Sequence, residues 1–295
     1  ALALQKYGCK VGVIYPQLRS LKNWKSAFLG KYGIRRELDN GLVTFRYHMM
    51  SWIPRMQNMW AMFWVRGGLI AYEAYVKECG HPDIIHVHST LYGGCVALKV
   101  YDLYQIPYVI TEHSSLFAQG KVNDAQKNIS NVAVMGAKAR LAVSVEFASL
   151  LNRFYADQSC IWQYVPNIVN ESFLNFPLEM NNTSEKCIFV NVAFHTEIKA
   201  IGSLIKSFAI AFAGSLNVTL QLVGDGPEQE RLRQLSSQLG VSKQVVFLGA
   251  RKRQEVLETV AAANAFVLSS RYETFGVVIV EALALGKPVV ATQIG

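Results

Sequence analysis

No two cysteines in this chain stand at C-x-x-C spacing. The five present (Cys9, Cys79, Cys95, Cys160, Cys187) are scattered and odd in number. That argues against a disulfide framework and a zinc site and points to a reducing cytoplasm. No stretch reaches the roughly 18 apolar residues of a membrane span, and no signal peptide is visible. The expected location is therefore cytoplasmic, extending at most to peripheral contact with the inner face of a membrane. Disordered and low-complexity blocks are missing too. With 295 residues, 51% of them hydrophobic, and a mean hydropathy of +0.19, the chain can bury two cores.

Charge is sparse at 17% of residues, yet the net value is +8 and the pI near 9.2. The basic residues are spread over Lys22, Lys25, Lys31, Arg35 and Arg36, then Lys138, Arg140, Lys199, Arg251, Lys252 and Arg253. They lack the stacked aromatic platforms expected for nucleic acid. A polyanionic ligand or an anionic membrane surface explains them better. Trp52 to Arg66 mixes aromatics with Arg55 and Arg66. Core packing is the default for such a stripe, and an interfacial helix reaching a lipid-linked acceptor is the alternative.

Short apolar strands alternate with helical segments, as in parallel α/β layers. In the first half the strands are expected at Val11 to Tyr15, Val43 to Tyr47, Ile84 to Val87, Tyr108 to Thr111 and Leu141 to Ser144, forming one Rossmann-like sheet. Helices are expected near Trp60 to Cys79 and Gly93 to Tyr104. In the second half come the strand Cys187 to Val192, the helix Ile201 to Ala213, and strands at Leu222, Val246 and Phe266.

Glu273-Thr-Phe-Gly-Val-Val-Ile-Val-Glu281 sets two carboxylates around a turn. Thr274, Phe275 and Gly276 open a helix over Val277 to Leu285, which Gly286 stops and Pro288 keeps from resuming. At ~1.5 Å rise per residue, Glu273 and Glu281 lie about 12 Å apart, suited to gripping two ends of a long ligand. Free N–H groups at the helix start attract phosphate. Glu281 sits among Val280, Ala282 and Leu283, where a carboxylate needs donors such as a ribose diol. The alternative is a helix-start charge at Glu273 and a structural ion pair at Glu281.

The stretch from about Lys186 to Gly295 resembles the nucleotide-binding half of the retaining glycosyltransferases of family 4, which have the two-domain GT-B fold. The motifs that carry this are the Glu pair, Phe266-Val-Leu-Ser-Ser270, Leu222-Val-Gly-Asp-Gly-Pro227 and Val246-Phe-Leu-Gly249. Tyr164-Val-Pro-Asn167 is similar to the segment that enters the second domain, so the expected domains are 1–166, on the acceptor side, and 167–295, binding the nucleotide sugar. Both ends read as cut, because members of the family carry a further strand before and closing helices after. The expected class is thus α/β, two Rossmann-like domains facing a cleft, truncated at both ends.

The resemblance implies that Glu273 holds donor-sugar hydroxyls and Glu281 the nucleotide ribose, with Thr274, Phe275, Gly276 and Val277 offering backbone donors. His113, after the strand Tyr108-Val-Ile-Thr-Glu112, matches the family's Thr-x-His segment beside the transferred sugar. Without the resemblance, a histidine at a strand end is more often a structural hydrogen-bonder. His86 is read as packing and His88 as a cleft residue; two histidines without a third ligand make no metal site. Lys199 matches the family's diphosphate lysine, whereas the expected arginine position holds Phe194. A charge pair at 4 Å is worth roughly 4 kcal/mol at an effective dielectric of ~20, so that loss calls for compensation by His195, Arg251 or Lys252. Arg251 is expected near the base. Gly224-Asp-Gly226 is half a dinucleotide fingerprint, on its own a turn with a helix cap at Asp225 or Pro227.

The implied activity is that of a retaining hexosyltransferase: transfer from a nucleoside diphosphate sugar to a saccharide or lipid-linked acceptor in polysaccharide, lipopolysaccharide or glycolipid synthesis, with no cofactor and no metal. The rival readings are a non-catalytic sugar-nucleotide binding module and a sugar-nucleotide epimerase of the same fold.

Overall fold

The structure is a computed structural model, described for residues 2–20, 30, 32–51, 57–155, 161–177 and 186–294. The chain divides into two compact units, Ala1–Val165 and Pro166–Gly295. Cys160, Lys22, Lys25, Lys31 and the 52–56 part of the Trp52 stretch, Arg55 included, lie outside the described residues.

The first unit begins with α1 (Leu2–Lys6) and holds two sheets rather than the single one expected. β1 (Gly12–Ser20), β2 (Gly33–Asp39) and β3 (Leu42–Ser51) run in the order β1-β3-β2, with β1 parallel and β2 antiparallel to β3. β4 (Ile85–His88), β5 (Tyr108–Glu112), β6 (Ala139–Ala142) and β7 (Trp162–Tyr164) form a wholly parallel sheet in that order. Hydrophobic periodicity reports that a strand exists, not which strand it pairs with, and among the described residues β1 and β4 share no ladder. β2 escaped the pattern because it is a charged edge strand. Arg46 of β3 reaches across to Glu37 at 2.9 Å.

α2 (Gln57–Cys79) packs on β1 and β3 and against α3 (Cys95–Tyr104), leaving Met62 and Phe63 exposed. α4 (Ser115–Ala118), α5 (Asp124–Gly136) and α6 (Val145–Tyr155) complete the unit. Asn123 and Gln126 cap α5 reciprocally. Tyr108, Ile110, Val134, Val143 and Leu151 are fully buried, each contributing about 1.5 to 3 kcal/mol of transfer free energy.

The second unit carries α7 (Glu171–Leu174) and a parallel five-stranded sheet. Its strands are β8 (Cys187–Val192), β9 (Val218–Val223), β10 (Val245–Gly249), β11 (Ala265–Leu268) and β12 (Val289–Ala291), in the order β10-β9-β8-β11-β12. α8 (Ile201–Phe212) and α9 (Gln229–Gln238) pack Ile201, Ile205, Phe208 and Leu232 on one face. α10 (Arg253–Ala262) and α11 (Val277–Ala284) join Phe173 of α7 on the other, through Leu257, Val260 and Ala282. No helix among the described residues is long and apolar enough to cross a membrane.

Candidate functional site

In the second unit β8, β9 and β10 step one way along the sheet and β11 and β12 the other. The order therefore reverses between β8 and β11, with helices leaving to opposite faces. Such a switch point opens a crevice at the carboxyl ends of the strands, where ligands of doubly wound sheets bind. The loops after β8 and β11 carry Lys199 and Glu273, whose side chains meet there at 2.7 Å, each about one-fifth exposed. The loops are also stitched together by backbone. Ser269 Oγ donates to the Lys199 carbonyl at 2.9 Å, and the Arg271 N–H to that of Ile198 at 2.7 Å. α11 starts beside this pair at Gly276, whose φ of 76° is left-handed, and no side chain caps it. Its N-terminal amides are thus open to a ligand.

Glu281, in the second turn of α11, is 12% exposed and pairs with Arg253 Nη2 at 3.0 Å. Burial pushes its carboxyl up, opposed by Arg253. The guanidinium of Arg253 also lies over the Phe173 ring, 5.8 Å from its centre. Arg253 opens α10, 28 residues before Glu281, so spacing along the chain gave no sign of this partnership. Arg251, the residue expected near the base, instead holds Glu255 at 3.1 Å, from just before α10 to its first turn.

Phe194 stands exposed at the end of β8. His195 does not compensate for it. The ring is fully buried, Nδ1 bonds Gln229, Nε2 has no partner among the described residues, and burial lowers its proton affinity. The reason lies in the glycine turn after β9, which closes over it. A Cβ on Gly224 would stand 2.9 Å from the Ala193 carbonyl carbon, and one on Gly226 2.5 Å from the His195 oxygen. Gly224 therefore serves close backbone packing, and the turn defers the helix: the N-cap position of α9 falls at Glu228, whose side chain makes no capping bond, not at Asp225 or Pro227.

In the first unit His113 Nε2 and His88 Nδ1 are 3.0 Å apart, with stacked rings. His86 is exposed rather than packed inside, its Nε2 2.7 Å from Thr111 Oγ1. Among the described residues no group of three His, Cys, Asp or Glu side chains is arranged to hold a metal ion. Desolvation, with His86 and His113 alongside, pushes His88 down to about 4, and desolvation lowers His86 and His113 in the same direction. Between pH ~6.5 and ~4 the unfolded chain binds protons that the folded one refuses, so stability falls as pH drops through that window and is level above it. Melting curves from pH 4 to 8 should show this loss, and His88→Gln should lessen it.

Sequence reasoning passed over Glu112, the fully buried last residue of β5, and the loop after β4, where Ser89 and Tyr92 take φ of 85° and 65°. The available signal was an acidic residue closing an otherwise apolar strand.

The family description "Glycosyltransferase Family 4" matches residues 1–173 and "Glycosyl transferases group 1" matches residues 171–295. Among curated proteins, the chain is 25% identical over 232 residues to N-acetyl-alpha-D-glucosaminyl L-malate synthase of Bacillus anthracis, covering 75% of this chain and 59% of that one. Among solved structures, sucrose-phosphate synthase from Thermosynechococcus elongatus superposes with a TM-score of 0.70 at 18% identity, covering 97% of this chain and 82% of that one. Anabaena HepE in complex with UDP gives 0.68 at 17%, covering 97% and 81%.

Proposed function

The chain belongs to glycosyltransferase family 4, and from that premise we propose that the protein transfers a sugar from a nucleoside diphosphate sugar to an acceptor hydroxyl with retention. The observation that carries the reading is the Lys199–Glu273 pair at the switch point, beside the open start of α11. On this reading Lys199 and the Gly276 and Val277 amides hold the departing diphosphate, Glu273 and His113 fix the sugar, and Glu281 takes the ribose. Stabilising charge that develops on the leaving group is where such a site gains rate. Among the described residues Glu273 and Glu281 each pair with a cation rather than with another carboxylate, which supports the leaving diphosphate guiding the incoming hydroxyl on the same face. The cations come from the protein, so no metal is assigned to the reaction.

The test is a panel of UDP-, GDP- and ADP-sugars with the full-length protein, following nucleotide release with and without membrane extract in EDTA. Acceptor-dependent release from one donor, undiminished by EDTA, is the expected result. Acceptors in polysaccharide, lipopolysaccharide or glycolipid synthesis are the proposed class. Phe194 in place of the arginine favours a second reading, a sugar-nucleotide binding module. Donor binding without release would establish that one. Peripheral membrane contact through the exposed Met62 and Phe63 of α2 is part of the proposal, and no binding to anionic liposomes at low salt removes it.

A further inference from the structure

Glu112 is fully buried, and no cation among the described residues pairs with it. An isolated carboxylate is costly to bury unless donors surround it. Four do. Oε1 accepts the N–H groups of His113 at 2.9 Å and Ser114 at 2.8 Å. Oε2 accepts the Thr90 N–H at 2.7 Å and the Thr90 hydroxyl. The two oxygens thus serve two different loops, those leaving the carboxyl ends of β5 and β4. On one side Ser114 goes on to cap α4, its Oγ accepting the Leu116 N–H. On the other, Thr90 lies between Ser89 and Tyr92, both held in the left-handed region that non-glycine residues rarely enter. Such a backbone persists only where its surroundings over-determine it; here the Glu112 carboxylate holds Thr90, alongside the Ser89 N–H donating to the Thr111 carbonyl at 2.9 Å.

We propose that Glu112 is a positioning residue for glycosyl transfer: its buried carboxylate locks the His113 main chain to the strained Ser89–Tyr92 loop, fixing where the His113 ring meets the sugar. This rests on the glycosyltransferase reading and on the role proposed there for His113. His88, the last residue of β4, stands next to the strained loop and touches the His113 ring, so both supports of that ring pass through the same junction. Misplacing a catalytic group by an ångström costs roughly a hundredfold in rate, which gives the scale of the effect.

Glu112→Gln separates the two sides of the junction. Its carbonyl oxygen can keep the His113 and Ser114 amides while its NH2 turns to Thr90, whose hydroxyl rotates to accept but whose N–H is left unpaired. Glu112→Ala loses both sides. In the full-length protein, kcat should fall about tenfold for Glu112→Gln and about a hundredfold for Glu112→Ala, with nucleotide affinity unchanged. In a His113→Ala background the same changes should cost less than about twofold, because residues acting through one another are not additive.

Equal costs in both backgrounds, or nucleotide affinity falling in step with kcat, would overturn the proposal. If Glu112→Ala does not fold, Glu112→Gln carries the cycle. A wild-type protein with no donor-dependent turnover would count against the glycosyltransferase reading instead. Amide hydrogen exchange then decides the junction itself: Thr90 protection should be lost in Glu112→Gln while His113 and Ser114 keep theirs, and unchanged protection at Thr90 refutes the lock.

Discussion

Glu273→Ala is expected to lower kcat/KM by roughly a hundredfold to a thousandfold, on the scale of removing one group that stabilises a transition state. Its effect on folding should be far smaller. The ion pair it breaks is one-fifth exposed at each end, and the freed Lys199 can extend its ammonium into water along a flexible stem. With the lysine free to reach water, the loss should stay near the roughly 1 kcal/mol of an exposed pair, or a few degrees in melting temperature. The measurement is turnover and thermal melting on the same preparation. Activity and stability falling together would make Glu273 a structural carboxylate, the helix-start charge that its position before α11 also permits. Glu273→Gln sharpens the comparison, because it keeps the shape and removes the charge that Lys199 answers.

Gly224→Ala should cost more stability than alanine at the glycines of the second unit that have open space around them, Gly214, Gly240 and Gly249. The residue sits at φ 125°, and its added carbon would press on the Ala193 carbonyl, which is main chain and cannot rotate away. The backbones after β8 and β9 would have to part. That strands the buried Nε2 of His195 further and pulls on the turn that presents Lys199. We expect about 3 kcal/mol or more, beyond the usual range for point changes, read as a shift of the denaturation midpoint. A melting temperature within a degree or two of wild type would mean that the turn is looser than its packing indicates.

Where an element is long, apolar and punctuated, it could be read directly. β8 ran from Cys187 to Val192 as expected, since its apolar run carries no charge to blur its ends. α11 lay between Gly276 and Gly286, two positions whose positive φ suits glycine. β6, by contrast, spans Ala139–Ala142 rather than running to Ser144, because Ser144 caps α6 by accepting the Phe147 N–H instead of extending the strand. The partition of the first half into two sheets was invisible for a different reason: ladders join strands distant in sequence, and a single chain carries no mark of the pairing. The same limit hid Arg253. Nothing near Glu281 announces it, since the guanidinium arrives from the start of another helix. Arg251 drew attention instead because it stands closer to a recognisable strand end, although its charge is spent on Glu255.

Each carboxylate expected to grip a donor already has a positive companion, Lys199 for Glu273 and Arg253 for Glu281. The two pairs therefore carry no net charge between them, where the two cations alone would be a strong trap for any passing anion. A bare phosphate or sulfate offers nothing to the two glutamates and must compete with them for the cations. A molecule that brings hydroxyls for the acids and phosphoryl oxygens for the bases satisfies both sets at once. Such a pocket works as a two-key lock, indifferent to salts that carry only one of the keys and yielding to the ligand that holds both.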